Sequence, residues 1–117
     1  MAEHNVVGNI GEEIACQIMR KKGFRIVDTN WRFGHLEMDV IAINKKEIVF
    51  LEVKTRTSTF SDKRPEEYVD ELKKRRMVAA ANAYIKMNNI EQAPRFDIIG
   101  LIMNPLASPG ISMVEIF

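Results

Sequence analysis

The sequence is poor in the residues that would tie it to a disulfide framework, a structural zinc site or a membrane. A single cysteine, Cys16, excludes an internal disulfide and fits a reducing cytoplasm. Two histidines beside this one cysteine argue against a structural zinc site. No apolar run reaches the roughly 20 residues that a membrane helix needs, and residues 1–5 lack the basic and apolar regions of a signal peptide. We therefore expect a cytoplasmic protein without a membrane segment.

The overall charge also carries little signal. The formal net charge is +1 over 117 residues, and 46% hydrophobic with 28% charged residues is ordinary for a globular domain. The charge is uneven, however, because residues 54–76 contain eight basic and five acidic side chains, a local net charge of +3. The sequence shows no repeat, low-complexity segment or domain boundary, so we predict a single domain over residues 1–117.

Two apolar runs, residues 37–43 and 48–54, flank a polar turn and predict a β-hairpin. A tight two-residue loop would pair Asn44 with Glu47 and so fix the register of the hairpin. The expected apolar positions are Ile41, Ile43, Ile48 and Phe50 on one face and Met38, Val40, Ala42, Val49, Leu51 and Val53 on the other. Strands that are apolar on both faces belong in the middle of a covered sheet.

Four charged side chains stand at one end of this hairpin. In the expected register Asp39 lies opposite Glu52, and Glu37 lies opposite Lys54, all on one face. Such charges are costly to desolvate unless they pair or bind a cation. Hard oxygen ligands at the ends of adjacent strands suit Mg²⁺ or Mn²⁺, whose bound water can attack phosphorus. We predict Asp39 and Glu52 as catalytic metal ligands and Lys54 as a catalytic residue. Glu37 stays open between a metal ligand and an ion-pair partner of Lys54.

Residues 5–22 have the spacing of an amphipathic helix that ends at Gly23. Its expected apolar stripe consists of Val7, Ile10, Ile14, Ala15, Ile18 and Met19. Glu13 faces water in this arrangement. Glu12 lies at the edge of the stripe, either as a solvated first-turn acid or as the partner of a buried group. We add Glu12 and the backbone carbonyl of Val53 to the predicted metal ligands.

Residues 55–65 are polar, basic and aperiodic, and we interpret them as a loop. A second helix is expected to begin near Pro65 or Asp70, a good N-cap, and to end near Met87. Its expected apolar stripe consists of Leu72, Ala79, Ala80, Ala83 and Met87. Lys73 falls in line with Val69, Met77, Ala80 and Tyr84, on the stripe instead of opposite it. Four cations at residues 73–76 would oppose the helix dipole, which a bound phosphate would compensate, although a solvated basic face is the alternative. The predicted nucleic-acid contacts are Arg32, Arg56, Lys73, Lys74 and Arg76.

Three further strands are predicted over residues 24–28, 95–103 and 111–117, with a turn over residues 104–110 before the last strand. Residues 30–35 are interpreted as a connection in which Trp31 packs against the core instead of stacking on a base. The resulting order is helix, three strands, helix, two strands. This order predicts an α/β fold with a mixed, twisted sheet flanked by helices.

Asp39 followed by Glu52-x-Lys54 resembles the P-D-(D/E)-x-K signature of the restriction-endonuclease-like superfamily, whose core is αβββαβ. The sequence resembles still more closely the YraN-like small bacterial proteins, which are related to archaeal Holliday-junction resolvases. The resemblance is carried by Gly8-x-x-Gly11-Glu12, Asn30-Trp31-Arg32, residues 37–42, residues 49–56, Pro65-Glu66-Glu67 with Lys73, and Arg95-Phe96-Asp97. It implies that Glu12, Asp39, Glu52 and Lys54 occupy nuclease active-site positions and that Lys73 contacts the substrate. The glycine that commonly precedes the first hairpin acid is replaced here by Leu36.

The residues and the resemblance together predict a Mg²⁺- or Mn²⁺-dependent nuclease acting on DNA, with branched DNA as a candidate substrate. One alternative is a nucleic-acid-binding module that keeps the site and cuts little or nothing. Another is a protein-interaction domain whose charges form an ion-pair network, Glu37 with Lys54 and Asp39 with Lys73. A homodimer would suit two matched cuts in a branched substrate.

Overall fold

The computed structural model describes residues 3–56, 69–102 and 110–115, with side chains for residues 9–55 and 69–102. The helices and strands occur in the predicted order. They are α1 (Glu3–Lys21), β1 (Arg25–Phe33), β2 (Leu36–Ile43), β3 (Glu47–Arg56), α2 (Glu71–Asn88), β4 (Ala93–Ile102) and β5 (Gly110–Glu115). Most of the loop expected over residues 55–65, and the turn expected before β5, lie outside the described residues.

The five strands form one mixed sheet in the order β1-β2-β3-β4-β5. β3 and β4 are parallel, whereas the other three neighbouring pairs are antiparallel. Parallel neighbours require a crossover connection, and α2 lies in the connection between these two strands. The predicted α/β class with a mixed sheet is confirmed. No helix in the described part of the chain is long and apolar enough to cross a bilayer.

Each face of the sheet carries its own hydrophobic cluster, as the two-sided apolar strands predict. The α2-facing cluster joins Ile41, Ile43, Ile48 and Phe50 to Met77, Ala80, Ala81 and Tyr84, and the α1-facing cluster joins Val40, Ala42, Val49 and Leu51 to Ala15, Cys16 and Met19. The prediction for Met38 was wrong, because it packs in the α2-facing cluster. Met38 and Ile41 share a face although they are three positions apart. Regular alternation is therefore interrupted in β2 next to Asp39.

The buried faces of the helices differ from the predicted stripes. In α2, Leu72 and Met87 are 54% and 59% exposed, whereas Met77 and Tyr84 are buried. The face that packs on the sheet follows the line of Met77 and Tyr84, on which the partly buried Lys73 was predicted to lie. Among the described side chains of α1, residues 9–21, the buried ones are Gly11, Ala15, Cys16 and Met19, with Ile14 and Ile18 at the margins and Ile10 exposed.

β1 is longer than predicted, because it continues through the segment interpreted as a connection. Its pairing with β2 shifts register between Ile26 and Asp28. Asn30 has a φ of 50°, a left-handed conformation that asparagine tolerates better than most residues. β1 is an edge strand of the sheet, so most of its polar residues are exposed to water, although Asp28 hydrogen-bonds to the buried Tyr84. The polar run at residues 28–30 was therefore a poor guide to where the strand ends.

Candidate active site

The site forms where β2 and β3 separate. The two strands pair in the predicted register from Ile43–Ile48 to Val40–Leu51. Their ladder ends there, so the ladder pairs predicted beyond it, Asp39 with Glu52 and Glu37 with Lys54, do not form. β3 continues beside β4 as far as Arg56. One result is that the backbone N–H of Val53 donates a hydrogen bond of 2.8 Å to the Asp39 carboxylate. The Asp39 carboxylate thus accepts the hydrogen bond of the Val53 N–H in place of a backbone carbonyl of β2.

Asp39 and Glu52 meet at this split as a buried carboxyl pair. Glu52 is only 8% exposed, and its carboxyl group hydrogen-bonds to Asp39. Burial, and then the negative charge of Asp39, raise the pKa of Glu52 to about 7, although the ammonium of Lys73 acts in the opposite direction. Burial also raises the pKa of Asp39. Near neutral pH, therefore, Glu52 holds a proton that Asp39 accepts in a hydrogen bond, or the pair requires a cation.

The carboxylates of the site suit an open site for a hard divalent cation better than a closed site in which the protein supplies every ligand. Among the described residues, no group of three or more His, Cys, Asp or Glu side chains could hold a metal ion. Mg²⁺, however, is commonly bound through one or two carboxylates with waters and substrate phosphates completing its shell. Asp39 and Glu52 supply those two carboxylates, and the Val53 carbonyl follows directly in β3. The predicted metal site is thus compatible with the structure as an open, two-carboxylate site.

A cleft of about 260 Å³ opens beside the carboxyl pair. It is lined by Glu52, Lys54, Val69, Asp70, Leu72, Lys73 and Arg76. Lys54 and Glu52 lie two positions apart on β3, so both side chains reach this cleft from the same strand face, as predicted. The Nζ atom of Lys73 lies 3.4 Å from a carboxylate oxygen of Glu52. The cleft therefore has an acidic floor on β3 and a basic wall on α2.

The first turn of α2 explains how its cations are accommodated. Asp70 caps the helix by accepting a 2.8 Å hydrogen bond from the Lys73 N–H, as predicted for an N-cap. Lys73 pairs with Glu52, and Lys74 pairs with Glu71 at 3.5 Å. Neighbouring carboxylates thus compensate the positive charge of Lys73 and Lys74 near the start of the helix, a role that was predicted for a bound phosphate. Arg76 is exposed and lines the cleft.

The remaining predicted residues fall around this centre. Arg32 and Glu37 lie opposite each other in the β1–β2 ladder and form an exposed ion pair at 3.9 Å. The ion-pair network was expected to join Glu37 to Lys54 and Asp39 to Lys73. The structure shows Glu37 with Arg32 and Lys73 with Glu52, and the charge of Lys73 also acts on Asp39. The side chain of Arg56, at the end of β3, lies outside the described residues.

Glu12 approaches the carboxyl pair from α1 but has another partner. The Nδ2 atom of Asn30 donates a 2.9 Å hydrogen bond to its carboxylate. Burial is the main cause that raises the pKa of Glu12, and the charge of Asp39 adds to it. Glu12 is thus electrostatically part of the site, but in this structure it is an acceptor for Asn30 and does not complete a three-carboxylate group.

A larger depression, about 630 Å³, lies at the opposite end of the hairpin. Its lining residues are Gly23, Arg25, Ile43, Asn44, Lys45, Lys46 and Gln92. These residues include three cations but no acidic side chain. The chemistry of a metal or proton-transfer site is therefore concentrated at the Asp39–Glu52 end of the strands.

Comparison with known proteins connects this site to a family. The sequence model of the Uncharacterised protein family UPF0102 matches residues 11–101. The chain belongs to this family. The match includes every predicted site residue, from Glu12 to Arg76, and the YraN-like resemblance is confirmed at the level of this family.

Several curated relatives carry the name UPF0102 protein. One from Bacteroides thetaiotaomicron is 46% identical over 102 residues, which cover 87% of this chain and 84% of the relative. One from Porphyromonas gingivalis is 41% identical over 104 residues, covering 89% and 76%. One from Caldanaerobacter subterraneus subsp. tengcongensis is 46% identical over 100 residues, covering 85% and 81%. These names describe a family and assign no activity.

Two residues of this UPF0102 protein were not recognised as parts of the site. Asn30, which holds Glu12, stands across from Asp39 between two ladder pairs of β1 and β2; its positive φ could not be deduced from composition. Gly11 brings α1 so close to Thr55 on β3 that a Cβ atom there would collide with the threonine hydroxyl. The Gly11-Glu12 dipeptide was a visible signal, since a glycine inside a helix usually marks close packing.

Proposed function

We propose that this UPF0102 protein is a Mg²⁺- or Mn²⁺-dependent nuclease that hydrolyses phosphodiester bonds in DNA. The observation that carries the proposal is the buried Asp39–Glu52 carboxyl pair at the edge of a cation-lined cleft. Two adjacent buried carboxylates raise each other's pKa and destabilise the fold unless a proton or cation neutralises them. Packing alone gives no reason to keep them. The αβββαβ order of elements supports a restriction-endonuclease-like fold.

Each residue of the cleft has a role in this proposal. Asp39, oriented by the Val53 N–H, and Glu52 would hold the cation, with the Val53 carbonyl as a further ligand. When bound, a divalent cation lowers the pKa of a coordinated water and stabilises negative charge on phosphate. Lys54 would orient the attacking water or stabilise charge that develops in the transition state. Lys73 would exchange its contact with Glu52 for a substrate phosphate.

The basic wall would bind the DNA backbone. Lys73 and Arg76 line the cleft, so they are placed to contact the phosphates next to the scissile bond. Lys74 and Arg32 do not line this cleft, and each is paired with an acidic neighbour outside it, at 3.5 and 3.9 Å. We therefore expect Lys73 and Arg76 to contribute more to binding than Lys74 and Arg32.

One observation favours a second candidate, a nucleic-acid-binding module without cleavage. Lys73 already supplies a positive charge 3.4 Å from Glu52, and the described residues offer no third acidic ligand. An ion pair of this kind could stabilise the fold without a metal. The same basic wall would then bind DNA in a salt-dependent manner.

Cleavage assays separate the two candidates. Labelled duplex, single-stranded, flap and four-way-junction DNAs are incubated with the protein in Mn²⁺, in Mg²⁺ and in EDTA. A nuclease should give metal-dependent products on at least one substrate. Salt-dependent binding without product on any substrate would favour the binding module, and absence of both binding and cleavage would refute both candidates.

A further inference from the structure

A row of aromatic rings runs from the core of the protein to its surface beside the cleft. Phe50 packs edge-on against Tyr84, with ring centroids 6.1 Å apart, and Tyr84 packs edge-on against Trp31 at 5.2 Å. Trp31 and Phe33 are parallel within 5°, with centroids 6.2 Å apart. Tyr84 is buried, whereas the last ring, Phe33, is 49% exposed. The exposed Phe33 ring is therefore oriented by its stacking on Trp31, which in turn packs on the buried Tyr84.

Two adjoining surface depressions lead from the side of this ring to the carboxyl pair; we call them the binding track. Phe33 pairs with Leu36 in the β1–β2 ladder. Leu36 lines a second depression, of about 120 Å³, together with His35, Glu37, Lys73, Arg76 and Met77. Lys73 and Arg76 also line the cleft beside Glu52. The cationic side chains of Lys73 and Arg76 therefore lie between the region of the aromatic ring and Glu52.

The spacing along this track matches a short piece of nucleic acid. Phe33 is level with Leu36, which lies three residues before Asp39 on β2, so the backbone of Phe33 is displaced about 10 Å along the strands from Asp39 at roughly 3.3 Å per residue. Stacked nucleotides rise by about 3.4 Å each along one strand, so about three nucleotides span this distance. An exposed aromatic face near a basic groove is the arrangement that binds unpaired bases with little regard to sequence.

We propose that Phe33 is a stacking platform for an unpaired base about three nucleotides from the phosphate held at the Asp39–Glu52 pair. This proposal rests on the proposed function and narrows its substrate class to DNA with unpaired bases, such as single strands, flaps and branch points. In an intact duplex the neighbouring base pairs cover both faces of each base, so Phe33 gains no stacking partner there. Arg76 contacts the intervening phosphate.

Binding of short fluorescent DNAs in EDTA tests the platform without cleavage. Stacking on an aromatic side chain is worth about 1–3 kcal/mol per base, so Phe33→Ala should weaken binding of a single-stranded 12-mer by about 5- to 150-fold. Duplex binding should change by less than about twofold. Phe33→Trp should retain single-strand binding, whereas Phe33→Leu, which is apolar but lacks a π face, should weaken it as alanine does.

Two further variants separate stacking from charge and from general apolar exposure. Arg76→Ala should reduce the salt dependence of binding by about one counterion, whereas Phe33→Ala should leave that dependence unchanged. Met87→Ala removes a comparably exposed apolar side chain (59%) near the end of α2 and should have no effect. Thermal unfolding of every variant checks that the fold is retained, and the comparison of leucine with tryptophan at position 33 remains decisive if the alanine variant unfolds.

The outcomes distinguish this inference from the proposed function. Wild-type affinity for single strands in Phe33→Leu, together with weaker binding by Arg76→Ala, would overturn the platform and leave nucleic-acid binding intact. Equal losses for duplex and single-stranded DNA in Phe33→Ala would also overturn it. If the wild-type protein bound no nucleic acid, both the platform and the proposed function would be refuted.

Discussion

Replacing Glu52 by glutamine should remove a large pH dependence from the stability of the protein. Burial, followed by the charge of Asp39, raises the pKa of Glu52 from 4.5 to about 7. The folded protein therefore binds this proton more tightly than the unfolded chain does. The stabilisation by the proton is fully present below pH 4.5 and is lost as the pH rises through about 7. At about 1.4 kcal/mol per pKa unit, the loss is about 3 kcal/mol.

Urea unfolding in EDTA across this pH range measures the effect. Glutamine cannot titrate, so the variant lacks this loss of stability. The free energy of unfolding of Glu52→Gln minus that of the wild type should therefore increase by about 3 kcal/mol between pH 4.5 and about 8. The ion pair with Lys73 forms only as Glu52 ionises, and its effect is already included in the pKa of about 7. A constant offset between the two proteins, such as a difference in packing, does not affect the comparison, which uses only the change with pH.

Glu13→Gln is the matched control. Glu13 is also paired with a cation, Arg20, at 3.6 Å, but both side chains are more than half exposed. Its difference from the wild type should stay nearly constant with pH, because exposed pairs are screened and contribute little. If the Glu52→Gln difference were as flat as that of Glu13→Gln, the carboxyl pair would not be coupled as the structure indicates.

Three further predictions concern metal binding, the packing of α1 against β3 and the buried acid Asp97 in β4. At about pH 8, Mn²⁺ should raise the melting temperature of the wild type but not of Asp39→Asn, since ligands that bind only the folded state stabilise it; equal shifts would exclude the site. Gly11→Ala should cost about 1–3 kcal/mol in urea unfolding, because its Cβ would overlap Thr55, and adding Thr55→Ala should recover part of the loss; additive effects would contradict the contact. Asp97→Ala should cost about 3 kcal/mol, because this 2% exposed acid accepts two hydrogen bonds from Arg95; a loss under about 1 kcal/mol would show that the pair contributes little.

The carboxyl pair could be predicted from the sequence because it depends on local rules. A tight turn fixed the register of the hairpin, and two-sided apolar strands placed it inside the sheet. Those two facts bring Asp39 near Glu52 without any knowledge of distant residues. The Asp70 cap and the approach of Lys73 to the acidic face likewise followed from positions along one helix.

The rest of the site depends on contacts between distant parts of the chain. The split that lets Asp39 bond to the Val53 N–H arises where β2–β3 pairing ends while β3 continues beside β4. The Asn30–Glu12 hydrogen bond joins β1 to α1 through a left-handed residue. Neither is encoded in the periodicity of one element. The exposed Phe33 was missed for the same reason, since its segment was interpreted as a connection.

The proposed function requires the Asp39–Glu52 pair to support DNA cleavage with a divalent cation. It is tested most directly by measuring cutting and binding of one labelled flap DNA by the wild type, Asp39→Asn and Glu52→Gln, with cutting in Mn²⁺ and binding in EDTA. We predict metal-dependent cutting by the wild type, a loss of at least about 100-fold in each variant, consistent with the cost of disturbing a metal site, and binding within about threefold of the wild type. Cutting that persists in both variants, or a wild type that binds the flap without cutting it in Mn²⁺, would contradict the claim.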